Sequence, residues 1–190
     1  MSHKKNIVVY CGSRRGEDPA LCSLRRASGA KLSGKAGSCL VYGRTGGIGL
    51  MGITADAALA CGAEVTGIMP RSLIAREQAH LGLNRLIPTD CMSDRKNALI
   101  RRGDAFVILP GGIGTMEELF DTLSYIHLSD DPLHQSPVII ADIAHIYTPL
   151  QTLWDNMVTA GFIPARESGL LHICHTLEEI TALWPPPSTL

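Results

Sequence analysis

A glycine-rich stretch with two adjacent acids, LPGGIGTMEEL at residues 109–119, directly follows an apolar run. Glycine lets the backbone approach a ligand closely. A glycine turn that opens a helix also presents free N–H groups at the positive end of the helix dipole. Gly111, Gly112, Gly114 and Thr115 are therefore candidates for binding a phosphate. A tight strand–helix turn without a ligand would have the same composition.

The tetrapeptide GGIG occurs a second time at residues 46–49, again between a strand-like and a helix-like segment. Two such turns favour a phosphate site over a plain connection and add Gly46 and Gly47 to the candidates. Residues 47–52 also match the G-x-G-x-x-G pattern of dinucleotide-binding folds. That interpretation calls for an acid at the end of the next strand, where the sequence has Arg71. An NADP-binding enzyme is therefore kept only as a minor alternative.

Glu118 has two interpretations. Thr115 and Glu118 form a T-x-x-E pattern, which predicts a capping box in which the glutamate bonds back to the Thr115 N–H. Alternatively, Glu118 is a catalytic carboxylate held about one helical turn from a bound phosphate. The residues alone support the two interpretations equally.

A second charged element, MSDRK at residues 92–96, opens another predicted helix. Ser93 suits the N-cap and Asp94 the first turn. Arg95 and Lys96 follow in the same turn, where the dipole disfavours cations, and broken local rules tend to mark functional sites. The two cations would suit an anionic substrate, unless both are solvated on an exposed face. Met92 would border a base pocket or fill the core.

These residues must be positioned by a sheet. Apolar runs without alternation, such as residues 138–142, are typical of strands buried on both faces, and they alternate with helix-like segments. The alternation predicts an α/β fold with a doubly wound, parallel, Rossmann-like sheet. Ligands bind such sheets at the carboxyl ends of the strands, where both turns and the pair Gly12–Ser13 would gather. We predict strands over residues 6–13, 38–43, 63–70, 85–89, 105–110, 138–142 and 171–174, and helices over residues 18–36, 50–61, 93–102, 115–128, 147–160 and 176–184.

The composition restricts the class of protein. A chain of 190 residues with 45% hydrophobic residues predicts one nucleotide-binding domain over residues 1–190, with residues 185–190 as a frayed tail. A net charge of −1 argues against a nucleic-acid partner. The apolar run at residues 7–10 is too short for a signal peptide, and no run in the sequence is long enough for a bilayer. The six scattered cysteines fit a reducing compartment. We therefore expect a cytoplasmic protein with no membrane partner.

Seven histidines are spread along the chain without HExxH or Cys/His ligand spacing. We therefore expect no metal site and no cofactor.

Taken together, the motifs resemble the LOG ("lonely guy") family of cytokinin riboside 5′-monophosphate phosphoribohydrolases over about residues 7–183. The family signatures PGGxGTxxE and Met-x-x-Arg-Lys stand here at residues 110–118 and 92–96. The stretches CGSRRG, GLMG and REQAH, at residues 11–16, 49–52 and 76–80, are also similar.

The resemblance implies a homodimer that hydrolyses the N-glycosidic bond of AMP or an N6-substituted AMP to the free base and ribose 5-phosphate. It implies that Arg95 and Glu118 are catalytic and that Glu77, Met92 and Lys96 join the glycine turns in binding substrate. Relatives have often been labelled lysine decarboxylases, but the five lysines show no recognisable pyridoxal-phosphate site.

Three stretches depart from the family pattern: YGRTGG stands in place of YGGG, MSDRK in place of MHERK, and LSYIHL where the family often carries Trp and Gln. The departures bear on the preferred base more than on the reaction. A nucleotide-binding sensor without turnover is the alternative function, and the intact Arg95 and Glu118 speak against it.

Overall fold

The computed structural model of the chain describes residues 5–12, 27, 39–42, 50–74, 80, 82–128 and 136–183. The glycine turn at residues 43–49 and the tail at 185–190 lie outside these residues. So does the predicted helix at 18–36, apart from residue 27, which is helical.

Within the described residues, seven parallel strands form one sheet, which confirms the predicted doubly wound fold. The strands are β1 (Asn6–Tyr10), β2 (Cys39–Tyr42), β3 (Glu64–Pro70), β4 (Arg85–Thr89), β5 (Ala105–Ile108), β6 (Val138–Ala141) and β7 (Leu171–Cys174). Their order in the sheet is β4-β3-β2-β1-β5-β6-β7. Each comparable strand was predicted, although the predicted strand over residues 6–13 ends earlier, at Tyr10.

Helices connect the strands and cover both faces of the sheet. They are α1 (Leu50–Ala60), α2 (Arg71–Ile74), α3 (Met92–Ile100), α4 (Ile113–Leu128), α5 (Thr148–Thr159) and α6 (Leu177–Ala182), with a 3₁₀ helix at Ala165–Leu170. The five predicted helices that can be compared are present, with ends displaced by at most two residues. No helix in the described ranges is both long and apolar enough to cross a membrane.

The buried strand residues alternate between two cores, one on each face of the sheet. Ile7 and Val9 of β1 pack in the core that α1 and α6 cover. Val8 and Tyr10 pack in the opposite core, with buried residues of α3, α4 and α5. Because both faces are covered by helices, both sets of strand side chains are apolar.

The sequence order of the strands reverses between β1 and β5, so the switch point lies at the centre of the sheet. The chain leaves these two strands side by side, and the Gly12 N–H donates a 3.1 Å hydrogen bond to the Pro110 carbonyl. Gly12 and the PGGIGT turn therefore meet at the edge of the sheet where such folds bind ligands.

Candidate active site at the sheet switch point

Gly111 packs the glycine turn tightly onto the end of β1. A Cβ atom at Gly111 would lie 2.6 Å from the Gly12 amide nitrogen and closer still to the Thr115 hydroxyl. Real Cβ atoms do not approach that closely, so only glycine fits here. Thr115 is itself buried beneath the turn. The structure thus brings together three predicted site residues, Gly12, Gly111 and Thr115.

The outer part of the turn is open. A Cβ atom at Gly112 or Gly114 would meet nothing within 4 Å. The N–H groups of Thr115 and Met116 both donate to the Gly112 carbonyl, at 3.0 and 3.1 Å. Among the described residues, no acceptor faces the N–H groups of Gly112, Ile113 or Gly114. These three amides lie at the positive end of a 16-residue helix, which is where proteins commonly bind anions.

The predicted capping box at Thr115 and Glu118 is wrong. Helix α4 begins at Ile113, so Thr115 is its third residue and not its N-cap. The Thr115 N–H is already donated to Gly112, and the Glu118 carboxylate faces Arg95 instead. The T-x-x-E pattern could not reveal this, because it does not specify the residue at which the helix begins.

Arg95 and Glu118 form a buried ion pair. A guanidinium N–H of Arg95 donates to Glu118 Oε1 at 2.5 Å, and each side chain is only 8% exposed. The second terminal nitrogen of Arg95 approaches the Met92 sulfur at 3.1 Å. The alternative of a solvated Arg95 is therefore wrong. A buried charged pair is costly in stability relative to apolar packing, which is typical of a site kept for function.

Burial dominates the ionisation of Glu118. Desolvation raises the pKa of its carboxyl above the ordinary glutamate value, although the charge and hydrogen bond of Arg95 oppose that shift. Burial is the largest of these effects on the pKa, and the more distant charge of Lys96 lowers it less than Arg95 does. Glu118 therefore holds a negative charge that is less stable than that of a solvated glutamate.

The N-terminal cap of α3 differs from the prediction. Helix α3 begins at Met92, and Cys91, not Ser93, is its N-cap, with its sulfur accepting a 3.4 Å hydrogen bond from the Asp94 N–H. Arg95 and Lys96 therefore lie two positions further into the helix than the predicted cap would place them. Asp94 stands in the first turn as predicted.

Lys96 faces away from the buried pair, toward the outer face of α4. Its ammonium contacts Glu117 at 2.9 Å and Asp121 at 2.6 Å. Hydrogen bonds to Asp121 and then to Glu117 raise the Lys96 pKa. This lysine lines an open cleft of about 530 Å³ between α3 and α4. The other lining residues are Ser93, Asn97, Ile100, Asp121, Ser124, Tyr125 and Leu128.

The sequence motifs did not indicate Tyr147, whose side chain lies beneath the glycine turn and binds it. Its hydroxyl accepts a 2.6 Å hydrogen bond from the Gly111 N–H and lies 3.1 Å from the Gly111 carbonyl oxygen. The carboxylate of Asp142 holds the backbone at this tyrosine, because it accepts a 2.7 Å hydrogen bond from the Tyr147 N–H. An acid directly after a buried strand, at the ligand-binding edge, was the available signal in the sequence.

The remaining predicted binding residues, Ser13, Gly46, Gly47 and Glu77, lie outside the described residues. Within them, the site consists of the open amides of the turn, the buried Arg95–Glu118 pair and Tyr147 beneath the turn.

A parallel α/β sheet with a glycine turn and a buried arginine–glutamate pair at its switch point defines a Rossmann-like protein. The chain belongs to the LOG family, whose family model, described as "Possible lysine decarboxylase", matches residues 51–183.

Three curated relatives bear the name cytokinin riboside 5′-monophosphate phosphoribohydrolase. The protein from Rhodococcoides fascians is 36% identical over 92% of this chain and 86% of its own length. The protein from Mycobacterium tuberculosis is 34% identical over 94% of this chain and 93% of its own. The rice protein is 35% identical over 94% of this chain and 72% of its own.

Solved structures share the fold. A molybdenum cofactor binding protein from Rippkaea orientalis superposes with a TM-score of 0.68 at 20% identity, covering 95% of each chain. The molybdenum cofactor carrier protein from Chlamydomonas reinhardtii gives a TM-score of 0.69 at 16% identity, covering 95% of this chain and 98% of its own. At such identities the likeness is one of fold alone.

Proposed function

We propose that this protein hydrolyses the N-glycosidic bond of adenosine 5′-monophosphate and its N6-substituted forms, releasing the free base and ribose 5-phosphate. The observation that carries the proposal is the buried Arg95–Glu118 pair, set one helical turn from three open amides at the switch point. The names of the curated relatives support the same reaction.

The open amides of Gly112, Ile113 and Gly114 bind the 5′-phosphate. The positive ends of the peptide dipoles of α4 all point toward this end of the helix, so a dianionic group is stabilised there. Gly111 and Thr115 shape the turn from within. Binding the phosphate places the ribose against the first turn of α4, where Glu118 lies.

Glu118 stabilises the charge that develops during the reaction. Water forms a bond to C1′ while the C1′–N bond breaks, and the base leaves with the bonding electron pair and takes up a proton that originates from water. Positive charge builds on the sugar in an oxocarbenium-like transition state. A carboxylate in a low-dielectric site stabilises that charge more strongly than water does.

Arg95 holds the Glu118 carboxylate in place and binds an anionic or hydroxyl group of the substrate. Fixing the acid against the sugar is an orientation effect that contributes several kcal/mol to such reactions. Met92, whose sulfur contacts Arg95 and whose side chain is 42% exposed, borders the base.

The test uses three substrates: AMP, N6-isopentenyl AMP and adenosine. Free base is measured by chromatography, and we expect release from both nucleotides and none from adenosine. Equal rates on adenosine and AMP would remove the role of the glycine turn. Calorimetric binding of AMP without any release of base would instead establish the nucleotide-sensor alternative.

We propose that the protein forms a homodimer through the face that α3 and α4 share. Phe120 and Leu128 are 40% and 78% exposed and lie on one stripe of α4 with Ser124, beside the cleft. Exposed apolar residues in a row are costly unless another surface covers them. Light scattering at micromolar concentration should give twice the chain mass, and Leu128→Glu should give the monomer. A strictly monomeric wild-type protein would contradict the proposal.

We also propose a cytoplasmic location. Among the described residues, Cys61, Cys91 and Cys174 are free thiols, which suits a reducing compartment. Cell fractionation with an enzymatic marker for the cytoplasm tests this directly.

A further inference from the structure

Three side chains that can bind a metal converge where β6 and β7 end. Asp142 directly follows β6, His175 directly follows β7, and His145 lies in the loop between β6 and α5. The carboxylate and imidazole atoms that could act as ligands all lie within 4.8 Å of one another. Their sequence positions show no motif, which is why the spacing of the histidines predicted no metal site.

The surrounding structure orients the Asp142 carboxylate. Its Oδ1 accepts a 2.7 Å hydrogen bond from the Tyr147 N–H, and its Oδ2 accepts a 2.8 Å bond from the Thr148 hydroxyl. Each oxygen keeps a second lone pair. Asp142 is only 1% exposed, so these two bonds hold a buried carboxylate in one orientation. Hydrogen bonds of this kind orient metal ligands in proteins.

The two histidines complete the cluster from the solvent side. His145 is held at a φ of +55°, in the left-handed region that residues with a side chain seldom adopt. Its ring lies 5.1 Å from the ring of His175 with the planes 26° apart. The backbone of His175 is fixed, because its N–H donates to Glu179 at 2.7 Å. The Nδ1 atom of His175 lies 3.2 Å from the Asp142 carbonyl oxygen and 4.0 Å from Asp142 Oδ2, so both exposed imidazoles lie close to one buried carboxylate.

We propose that Asp142, His145 and His175 form a binding site for a divalent transition metal of the zinc type. Two imidazoles and one carboxylate suit Zn²⁺, Co²⁺ or Ni²⁺ and not Mg²⁺ or Ca²⁺, which prefer oxygen ligands. Ligand atoms about 2.0–2.1 Å from a tetrahedral zinc lie about 3.3 Å apart. The cluster must therefore close by roughly 1.5 Å, and the side chains of two exposed histidines can rotate by that much.

The site also has a structural connection to the glycine turn. The carboxylate that binds the metal is the one that holds the backbone of Tyr147, whose hydroxyl binds Gly111. Metal binding therefore ties the ends of β6 and β7 to the support of the turn. The inference does not depend on the hydrolase proposal, because metal binding and base release are measured separately.

The test is titration of the metal-free, untagged protein with Co²⁺, monitored by its visible absorption bands, and with Zn²⁺ by calorimetry. We expect one equivalent to bind to the wild-type protein. His145→Asn and His175→Asn should each weaken binding at least about tenfold, since even outer-sphere partners contribute that much. His127→Asn is the matched control: this histidine is exposed and pairs only with Glu167 among the described residues. Circular dichroism verifies that all three variants fold.

Unchanged Co²⁺ binding in both His145→Asn and His175→Asn would overturn the proposal and leave the two rings as a stacked pair. An equal loss in His127→Asn would overturn it as well, because binding would then be spread over surface histidines. Loss confined to the two loop histidines, with retention in the control, is the result that the geometry requires.

Discussion

The sequence T-x-x-E occurs at the start of two helices, and the two copies behave in opposite ways. At α6, Thr176 is the N-cap, and its hydroxyl accepts a 3.2 Å hydrogen bond from the Glu179 N–H. The Glu179 carboxylate turns back to the His175 N–H at 2.7 Å. At α4, Thr115 lies inside the helix and is buried, and Glu118 turns sideways to Arg95.

The difference shows how the N-terminal end of a helix can keep its first amides open for a ligand. At α6 a capping side chain occupies one of the first amides, the Glu179 N–H, and the glutamate is used to bind the backbone before the helix. Helix α4 begins at Ile113, three residues before the start that a cap at Thr115 predicts, and a glycine turn without a capping side chain precedes it. Its first amides therefore stay open, and its glutamate becomes available for chemistry. The two helices share the T-x-x-E pattern and differ in the residue at which the helix begins. That residue determines whether the threonine caps the helix, as at α6, or lies inside it, as at α4.

The largest expected effect is a loss of base release in Glu118→Gln, compared with the same substitution at Glu179. Glu118→Gln keeps the shape and the hydrogen-bond acceptor but removes the charge that faces the sugar, so base release from AMP should fall on the order of a hundredfold or more. Glu179→Gln, its match at the capped helix, should leave turnover unchanged. Rates are measured by chromatography of the released base. A folded Glu118→Gln protein with near wild-type turnover would sink the mechanism.

The next largest effect is expected at Gly112, in the open turn before α4, and it should differ from the effect at the adjacent Gly111. Gly112→Ala meets nothing in the folded protein, so stability should hold, but the methyl group would obstruct the phosphate. We expect KM for AMP to rise about tenfold, since hydrogen bonds to charged groups contribute about 1.5–3 kcal/mol. Gly169→Ala, which is equally open, is the control for an added methyl group. An unchanged KM would place the phosphate elsewhere.

Gly111→Ala should behave differently from Gly112→Ala. Its Cβ would lie 2.6 Å from the Gly12 amide nitrogen, so the turn must shift and the protein should lose stability as well as activity. Thermal melting of the two variants side by side makes the comparison. Equal melting temperatures would show that the turn is not packed as described.

The third effect concerns the support beneath the open end. Tyr147→Phe removes the hydroxyl that accepts from the Gly111 N–H and leaves that partly buried donor without this partner, at a cost of about 1 kcal/mol. We expect KM for AMP to rise several-fold, with kcat less affected, because the turn is loosened while Glu118 stays in place. Tyr125→Phe, in the cleft on the other side of α4, is the control. A fall in kcat alone would contradict a positioning role.

The fourth effect is the pH dependence of stability at the buried glutamate. Because burial raises the pKa of Glu118 in the folded protein, the folded state takes up the proton more readily than the unfolded chain. The contribution of this group is therefore fully present below the ordinary glutamate pKa and is lost as pH rises through the raised value. Relative to Glu118→Gln, the wild type should lose stability over that window by at most about 1.4 kcal/mol per pH unit.

Urea unfolding of wild type and Glu118→Gln at several pH values measures that difference without any substrate. We expect the variant to be at least as stable as the wild type at neutral pH, so that the charged glutamate is retained for catalysis at the expense of stability. A variant that becomes less stable than the wild type as pH rises would mean that the attraction of Arg95 outweighs burial.

Local patterns predicted the sheet because its signals are local. Each strand is a short apolar run closed by a turn, as at residues 105–108, and the alternation with helices determines the topology class. The position of the PGGIGT turn at the carboxyl edge follows from that topology alone. The glycines that shape the turn could therefore be identified from the sequence.

The details that failed depend on contacts between distant residues. Nothing near Glu118 indicates that Arg95, 23 residues earlier, takes its carboxylate. Nothing near Gly111 indicates Tyr147, 36 residues later. The N-cap at Cys91 was missed because a thiol is a weak acceptor and Ser93 is the better capping residue by type. At α4 the predicted start was two residues too late, and the start of that helix determines which of its amides stay open.

The smallest effect should come from the capped helix, where the comparison began. Thr176→Ala removes the hydroxyl that accepts from the Glu179 N–H, and loss of an N-cap costs about 1 kcal/mol. Helix α6 packs on the opposite face of the sheet from α4 through Ile180, so base release and the KM for AMP should be unchanged. Thr176→Ser, which keeps the hydroxyl, should restore the stability, and urea unfolding measures both variants. If Thr176→Ala impaired catalysis as Glu118→Gln does, the two helix ends would not be the separate devices that their hydrogen bonds describe.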